Sequence, residues 1–237
     1  MATLGIIGGI GPESTIEYYR HITALYREAR GDGNYPHLLI NSINFERMVS
    51  FFTANQFQEA ARYLIEEIER LARAGASFGL IAANTPHIVF DEVEAASGIP
   101  LISIVEETRQ AAQALDLRRV GLFGTTFTVR GRLYEKVFDK AAIEVVSPSA
   151  GDQDFIHEKY MKELVSGVVR EETRAKLLEI VSGLKAERKI EGLILGGTEL
   201  SLILKDGDDA EIPFLDTTRI HAQSAVRELL KREAGGA

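Results

Sequence analysis

Two short stretches of this chain carry residue types that could do chemistry. Asn84-Thr85-Pro86-His87 and Gly196-Gly197-Thr198-Glu199 each follow an apolar run, Phe78 to Ala83 and Gly192 to Leu195. Such runs suit strands buried on both faces of a sheet. The residues after them then fall on strand-to-helix turns, the place where open α/β sheets hold their ligands. Pro86 fits the first turn of a helix, where its missing N–H costs nothing. Each turn delivers a hydroxyl among small residues, so the pair reads as two halves of one ligand site. Glu199 could work as an acid or base if partly desolvated, or could simply complement a helix dipole.

Composition limits what that site can do. None of the 237 residues is cysteine, which excludes disulfides, thiolate metal sites and every thiol mechanism. The formal net charge of −8 argues against a nucleic-acid partner. No apolar run approaches the roughly 18 residues that a membrane span needs. Met1 to Ile7 has no basic start and runs straight into a strand, so no signal peptide is expected and the expected location is cytoplasmic.

The elements that must position the turns follow from the pattern. Thr3 to Gly8 reads as a buried strand, followed by Gly8-Gly9-Ile10-Gly11-Pro12-Glu13-Ser14-Thr15. Glycines there let the backbone approach a ligand, and Pro12 favours a helix start. The spacing is not that of a dinucleotide fingerprint. A helix is predicted over 12–30, a strand over 37–44, a short helical piece over 45–52 and an amphipathic helix from Phe57 to Leu71. A helix from Pro86 to Ala96 and a strand from Pro100 to Ile104 come next. A helix beginning near Thr108 opens a second series, with strands at 119–124, 143–146, 190–195 and 212–216 and a last helix from Thr217.

The second series repeats the first. Gly5-Ile6-Ile7-Gly8-Gly9 parallels Gly121-Leu122-Phe123-Gly124-Thr125, and Ile99-Pro100-Leu101-Ile102 parallels Ile212-Pro213-Phe214-Leu215, with an offset of 113 to 116. The expected fold is therefore α/β: two similar parallel-sheet units related by internal duplication, with a ligand cleft between them. The expected division is 1–104 plus 212–237 for the N-terminal unit, with a returning C-terminal helix, and 105–211 for the second.

Over nearly its whole length the chain resembles the aspartate/glutamate racemase family. The resemblance rests on Gly8 to Thr15, Asn84-Thr85-Pro86-His87, Gly196-Gly197-Thr198-Glu199, and Asp216-Thr217 with His221-Ala222. In the family the two strand ends usually read C-N-T-x-H and G-C-T-E. The resemblance implies cysteines on opposite sides of the substrate α-carbon, one removing the α-proton and the other reprotonating. It also implies no pyridoxal phosphate, no metal and no other cofactor. Here Ala83 and Gly197 stand at the two cysteine positions. Fold and pocket carry over; the two-thiol chemistry does not.

With the thiols gone, Glu199 and His87 are the ionisable groups nearest the vacated positions and are the expected catalytic residues, His87 more as an orienting than a titrating group. The resemblance implies that Asn84, Thr85 and Thr198 hold a substrate carboxylate through side-chain donors and helix N-termini, whereas the residues alone read as helix caps. Thr126 and Thr128 add donors or caps, and Gly9 adds a close backbone approach. Arg47 and Lys162 are the cations expected near a second carboxylate, Lys162 because some acidic-amino-acid racemases carry lysine there; singly, each reads as solvated surface charge. His157-Glu158-Lys159-Tyr160-Met161 departs from the family's H-E-x-I-Y order. His221 sits on the last helix much as His87 does on its own, Tyr18 and Tyr19 are expected in the core, and His21 and His37 at the surface or in packing.

The expected function is that of an enzyme with altered chemistry on this scaffold, acting on a small acidic amino acid or dicarboxylate. The alternatives are a catalytically inactive amino-acid binder or sensor, and a racemase variant from which the thiols were removed. A homodimer is a possible assembly.

Overall fold

The computed structural model describes residues 2–235. Strands β1 (Thr3–Gly8), β2 (His37–Ser42), β3 (Phe78–Ile81) and β4 (Leu101–Ile102) form one parallel sheet in the order β2-β1-β3-β4. Strands β5 (Arg119–Gly124), β6 (Glu144–Val146), β7 (Gly192–Gly196) and β8 (Phe214–Asp216) form a second, in the order β6-β5-β7-β8. Each strand of the second sheet takes the place of the strand four earlier, which is how the sequence repeat is realised. The central strands β3 and β7 are buried at every residue, and this is why they read as unbroken apolar runs. Edge strand β2 is exposed or half-buried throughout, in keeping with its mixed sequence HLLINS.

The connecting helices are α1 (Pro12–Arg30), α2 (Phe45–Thr53), α3 (Phe57–Arg73), α4 (Phe90–Ala96), α5 (Ile104–Ala114), α6 (Thr126–Arg130), α7 (Leu133–Phe138), α8 (Ala150–Lys162), α9 (Glu171–Arg188), α10 (Leu200–Ile203) and α11 (Thr217–Gly235). Helix α1 starts with Pro12 in its first turn and ends at Gly31, whose left-handed φ of 64° lets its N–H close on Arg27 O. Its buried residues Tyr18, Ile22 and Tyr26 recur every four positions and form one apolar stripe. In α3 the buried stripe includes Ala60, Ala61, Leu64, Ile68 and Leu71. Among the described residues no helix is long and apolar enough to cross a membrane.

The chain divides into two compact units, one running to Ile104 and resuming at Thr218, the other Val105–Thr217. In the first, Leu4, Ile6, Phe78 and Leu80 of the sheet pack with Tyr18, Ile22 and Tyr26 of α1 and with Ala222, Ala225, Val226 and Leu229 of α11. In the second, Phe123, Leu193 and Leu195 pack with Ile156 and Tyr160 of α8 and with Leu177, Ile180, Val181 and Leu184 of α9. Burying side chains of this size is worth about 1.5–3 kcal/mol each relative to exposure.

Three expectations change. The crossing expected at 212 lies at 218, because Phe214, Leu215 and Asp216 pair with Leu193, Ile194 and Leu195 and so close the second sheet. The helix expected from Pro86 is a 3₁₀ turn, Thr85–Val89, followed by α4. The strand expected over 100–104 shrinks to Leu101–Ile102, and α5 starts at Ile104 rather than near Thr108.

Candidate functional site

Both sheets have their topological switch between the two central strands, from which the chain leaves in opposite directions. Ligands of open α/β sheets bind outside the carboxyl ends of such a pair. In the first unit this is where Gly8-Gly9 and Ala82 to Thr85 lie, and in the second Gly124-Thr125 and Gly196 to Glu199.

The first unit's turn is closed by neutral hydrogen bonds. Ser14 Oγ donates to Ala82 O at 3.0 Å, tying α1 to the end of β3. His87 is buried, with Nδ1 2.9 Å from Ala83 O and Nε2 3.2 Å from the Ile104 amide. The amide can only donate, so Nε2 accepts and Nδ1 carries the proton to Ala83 O. His221, also buried, has the opposite tautomer: Nε2 donates to Ile102 O at 2.9 Å, and Nδ1 accepts from Tyr18 Oη at 2.7 Å. Between them the two imidazoles hold the end of the short strand β4 at Ile102 and the start of α5 at Ile104. Burial pushes His87 down to about 3, with nearby His221 adding to the effect. Burial likewise pushes His221 down to about 4. Both ring nitrogens of His87 are thus occupied within its own unit, so it orients this turn and does not titrate there. Ala83 contributes only a methyl group. Asn84 is buried and makes no side-chain cap bond to the turn that follows it, while Thr85 is half-buried.

The second unit's turn contains a carboxylate. Glu199 is 1% exposed and is approached on one oxygen by two hydroxyls. Thr198 Oγ1 donates to Glu199 Oε2 at 2.8 Å, and Tyr160 Oη of α8 donates to the same oxygen. Thr198 therefore spends its single hydroxyl hydrogen on Glu199 instead of presenting it to a ligand. Burial, then the Glu199 charge, then its hydrogen bond hold the Tyr160 phenol well above its usual range, so the phenol keeps its proton. Gly197 accounts for Tyr160's position. A Cβ on residue 197 would lie 2.5 Å from Tyr160 Cε2 and 3.1 Å from Cζ, so the ring fills the space where a side chain would stand.

Helix α8 supplies more than Tyr160. Gln153 Nε2 donates to Gly124 O at 2.9 Å, and His157 Nδ1 accepts from the Thr126 amide at 3.3 Å. Gln153, His157 and Tyr160 stand at i, i+4 and i+7, one face of a helix, and that face lies along the ends of β5 and β7. The three were not singled out as site residues from sequence; their spacing on α8 was the available signal.

The other expected residues divide. Thr125 caps α6, its hydroxyl accepting from the Thr128 amide at 3.3 Å and lying 3.2 Å from Thr128 Oγ1, so Thr128 belongs to a cap and the Thr126 amide to His157. Gly9 has a left-handed φ of 82°, a Cβ there would strike Ile43 O, and its N–H donates to Thr15 Oγ1 at 2.8 Å. Its close approach is thus to the protein's own chain. Lys162 is exposed and pairs with Glu158 at 3.1 Å, one helical turn away, so it is surface charge and not a site cation. Arg47 is exposed, lies 4.2 Å over the Tyr63 ring, and has no carboxylate partner among the described residues. Tyr18 is buried as expected, whereas Tyr19 is half exposed on the outer face of α1. The helices after the two turns are too short to carry much dipole, which removes the expected helix N-termini as donors. Among the described residues no group of three or more His, Asp or Glu could hold a metal ion.

Duplicated parallel sheets with polar turns at their switch points define a class of two-unit α/β proteins. Comparison with known proteins narrows it. The family described as Asp/Glu/Hydantoin racemase matches residues 7–225, and the chain belongs to that family. It is 23% identical to the broad specificity amino-acid racemase RacX of Bacillus subtilis (strain 168), over 96% of this chain and 98% of the relative. Among solved structures it is similar to an aspartate racemase homologue from Pyrococcus horikoshii OT3, with 32% identity, a TM-score of 0.82 and coverage of 99% of this chain and 100% of that one. It shares the fold of the Picrophilus torridus aspartate racemase, with 21% identity, a TM-score of 0.81 and coverage of 97% and 94%.

Proposed function

We propose that this protein binds a small acidic amino acid or dicarboxylate and exchanges one proton at the carbon beside its carboxylate, with Glu199 as the base. The observation that carries this reading is Glu199 itself, a carboxylate 1% exposed at the end of β7, oriented by Thr198 and Tyr160. A buried, oriented carboxylate at a switch point is a functional-site candidate on physical grounds. In the proposed step the substrate C–H proton passes to the Glu199 carboxylate while the bonding electrons stay on the substrate. The same proton, or one exchanged with water, then returns to that carbon. Relatives named as a broad specificity amino-acid racemase and an aspartate racemase homologue support the amino-acid class. At the first unit's own turn, Asn84 and Thr85 are proposed carboxylate donors, and Arg47 is a proposed cation of that unit.

One observation favours a second reading, that of a binder without catalysis. His87 is locked and Ala83 is a methyl, so the first unit's turn holds no group able to exchange a proton. A thermal-shift screen over amino and dicarboxylic acids, followed by product analysis, tests the proposal. A ligand at a hundred times its dissociation constant stabilises by about 2.7 kcal/mol. A screen in which no acidic compound raises the melting temperature would sink it.

A further inference from the structure

Resting on the reading of Glu199 as the base, we propose that Tyr160 is its positioning residue, taking the place of the side chain that residue 197 lacks. The geometry has three independent parts. Gly197 leaves a space that the Tyr160 ring occupies, with Cε2, Cζ and Cδ2 at 2.5, 3.1 and 3.3 Å from where a Cβ would be. The hydroxyl on that ring donates to Glu199 Oε2, the oxygen that also accepts from Thr198. The helix that carries the ring is fixed to the same sheet end at two further points, Gln153 to Gly124 O and His157 to the Thr126 amide.

These parts explain one another. With a larger residue at 197 the ring would have to shift from the strand end, and without the ring Glu199 would lose one of the two hydroxyls that donate to its Oε2. A carboxylate held by two hydroxyls on one oxygen has its plane fixed. Orientation of this kind matters because a displacement of about 1 Å at a reacting group can cost on the order of a hundredfold in rate. Tyr160 itself need not meet the substrate, since it acts through Glu199.

The test uses the full-length protein and three variants. Tyr160→Phe keeps the ring and removes the hydroxyl, Glu199→Gln removes the acceptor charge, and Gly197→Ala displaces the ring while leaving both polar groups intact. The first readout needs no activity. Proton NMR of the wild type should show a protected, downfield hydroxyl resonance that disappears in Tyr160→Phe, moves upfield in Glu199→Gln, where a neutral amide oxygen replaces the carboxylate as acceptor, and shifts in Gly197→Ala. The second readout is α-deuterium incorporation into aspartate or glutamate, split into kcat and KM. Tyr160→Phe should lower kcat roughly ten- to hundredfold, the loss of one hydrogen bond to a charged group, with KM nearly unchanged. Gly197→Ala should show the same pattern. A hydroxyl resonance left unmoved by Glu199→Gln, or a Tyr160→Phe enzyme with wild-type kcat, overturns the assignment. A wild type without any exchange would refute Glu199 as a working base, and the NMR comparison would still decide whether Tyr160 holds it.

Discussion

The ends of β3 and β7 are equivalent positions in two copies of one unit, and they have settled in opposite ways. At the first, Ala83 adds a methyl group and the neighbouring imidazole is bonded on both nitrogens to its own backbone, so the turn is neutral and closed. At the second, Gly197 adds nothing and the space is taken by a phenol from α8, which brings a hydroxyl onto a buried carboxylate. At equivalent positions the first turn thus holds an imidazole kept neutral by its own hydrogen bonds and the second a buried carboxylate.

The largest effect that would expose the contrast is acid sensitivity of the first unit. An unfolded histidine takes up its proton near pH 6.5, whereas folded His87 and His221 resist until about 3 and about 4. The unfolded chain therefore binds more protons across that window. The stability these neutral imidazoles contribute is complete above about pH 6.5 and is lost as pH falls towards the folded values. Between about pH 7 and pH 5 the loss should be on the order of 2 kcal/mol per histidine. Urea midpoints at the two pH values measure it, and a flat midpoint would mean that the imidazoles are not held neutral.

A smaller effect concerns ligand binding at the first turn. Asn84→Ala should weaken the affinity for an acidic amino acid or dicarboxylate about tenfold or more, as expected when a hydrogen bond to a charged group is removed. Calorimetric titration would show it, and unchanged affinity would move the ligand elsewhere. At the second turn, Gly197→Ala should destabilise by about 1–3 kcal/mol through overpacking against Tyr160. The penalty should largely vanish when Tyr160→Leu is already present. An equal cost in both backgrounds would separate the glycine from the ring. The smallest effect is at Lys162. Removing this exposed ion pair should change stability by less than about 1 kcal/mol and leave ligand affinity as it was.

Much of this contrast could be read in advance, and the remainder could not for definite reasons. Buried central strands announce themselves as apolar runs ending in small and polar residues, so both turns and the duplication were legible. The crossing at 218 was implicit in the repeat, since Ile212 to Leu215 matches Ile99 to Ile102, and the latter contains β4. It was missed because the final strand was joined to the final helix and not to the sheet. The state of His87 depends on an amide 17 residues away, which no local pattern reveals. Tyr160 meets Gly197 and Glu199 across 37 and 39 residues, and a void at a glycine is visible only once the helix above it is placed. Lys162 failed for the converse reason, because a matching position along the chain does not say which face of α8 it occupies.

The proposed exchange by one carboxylate, without the partner that inversion requires, is tested by a single assay. Each enantiomer of aspartate and glutamate is incubated with the protein in D₂O, and α-deuterium content and enantiomer ratio are followed in the same samples. The expected result is deuterium incorporation with the starting enantiomer retained, slowed by a factor on the order of 10²–10⁴ in Glu199→Gln. Rapid inversion in both directions, or incorporation indifferent to Glu199→Gln, would contradict it.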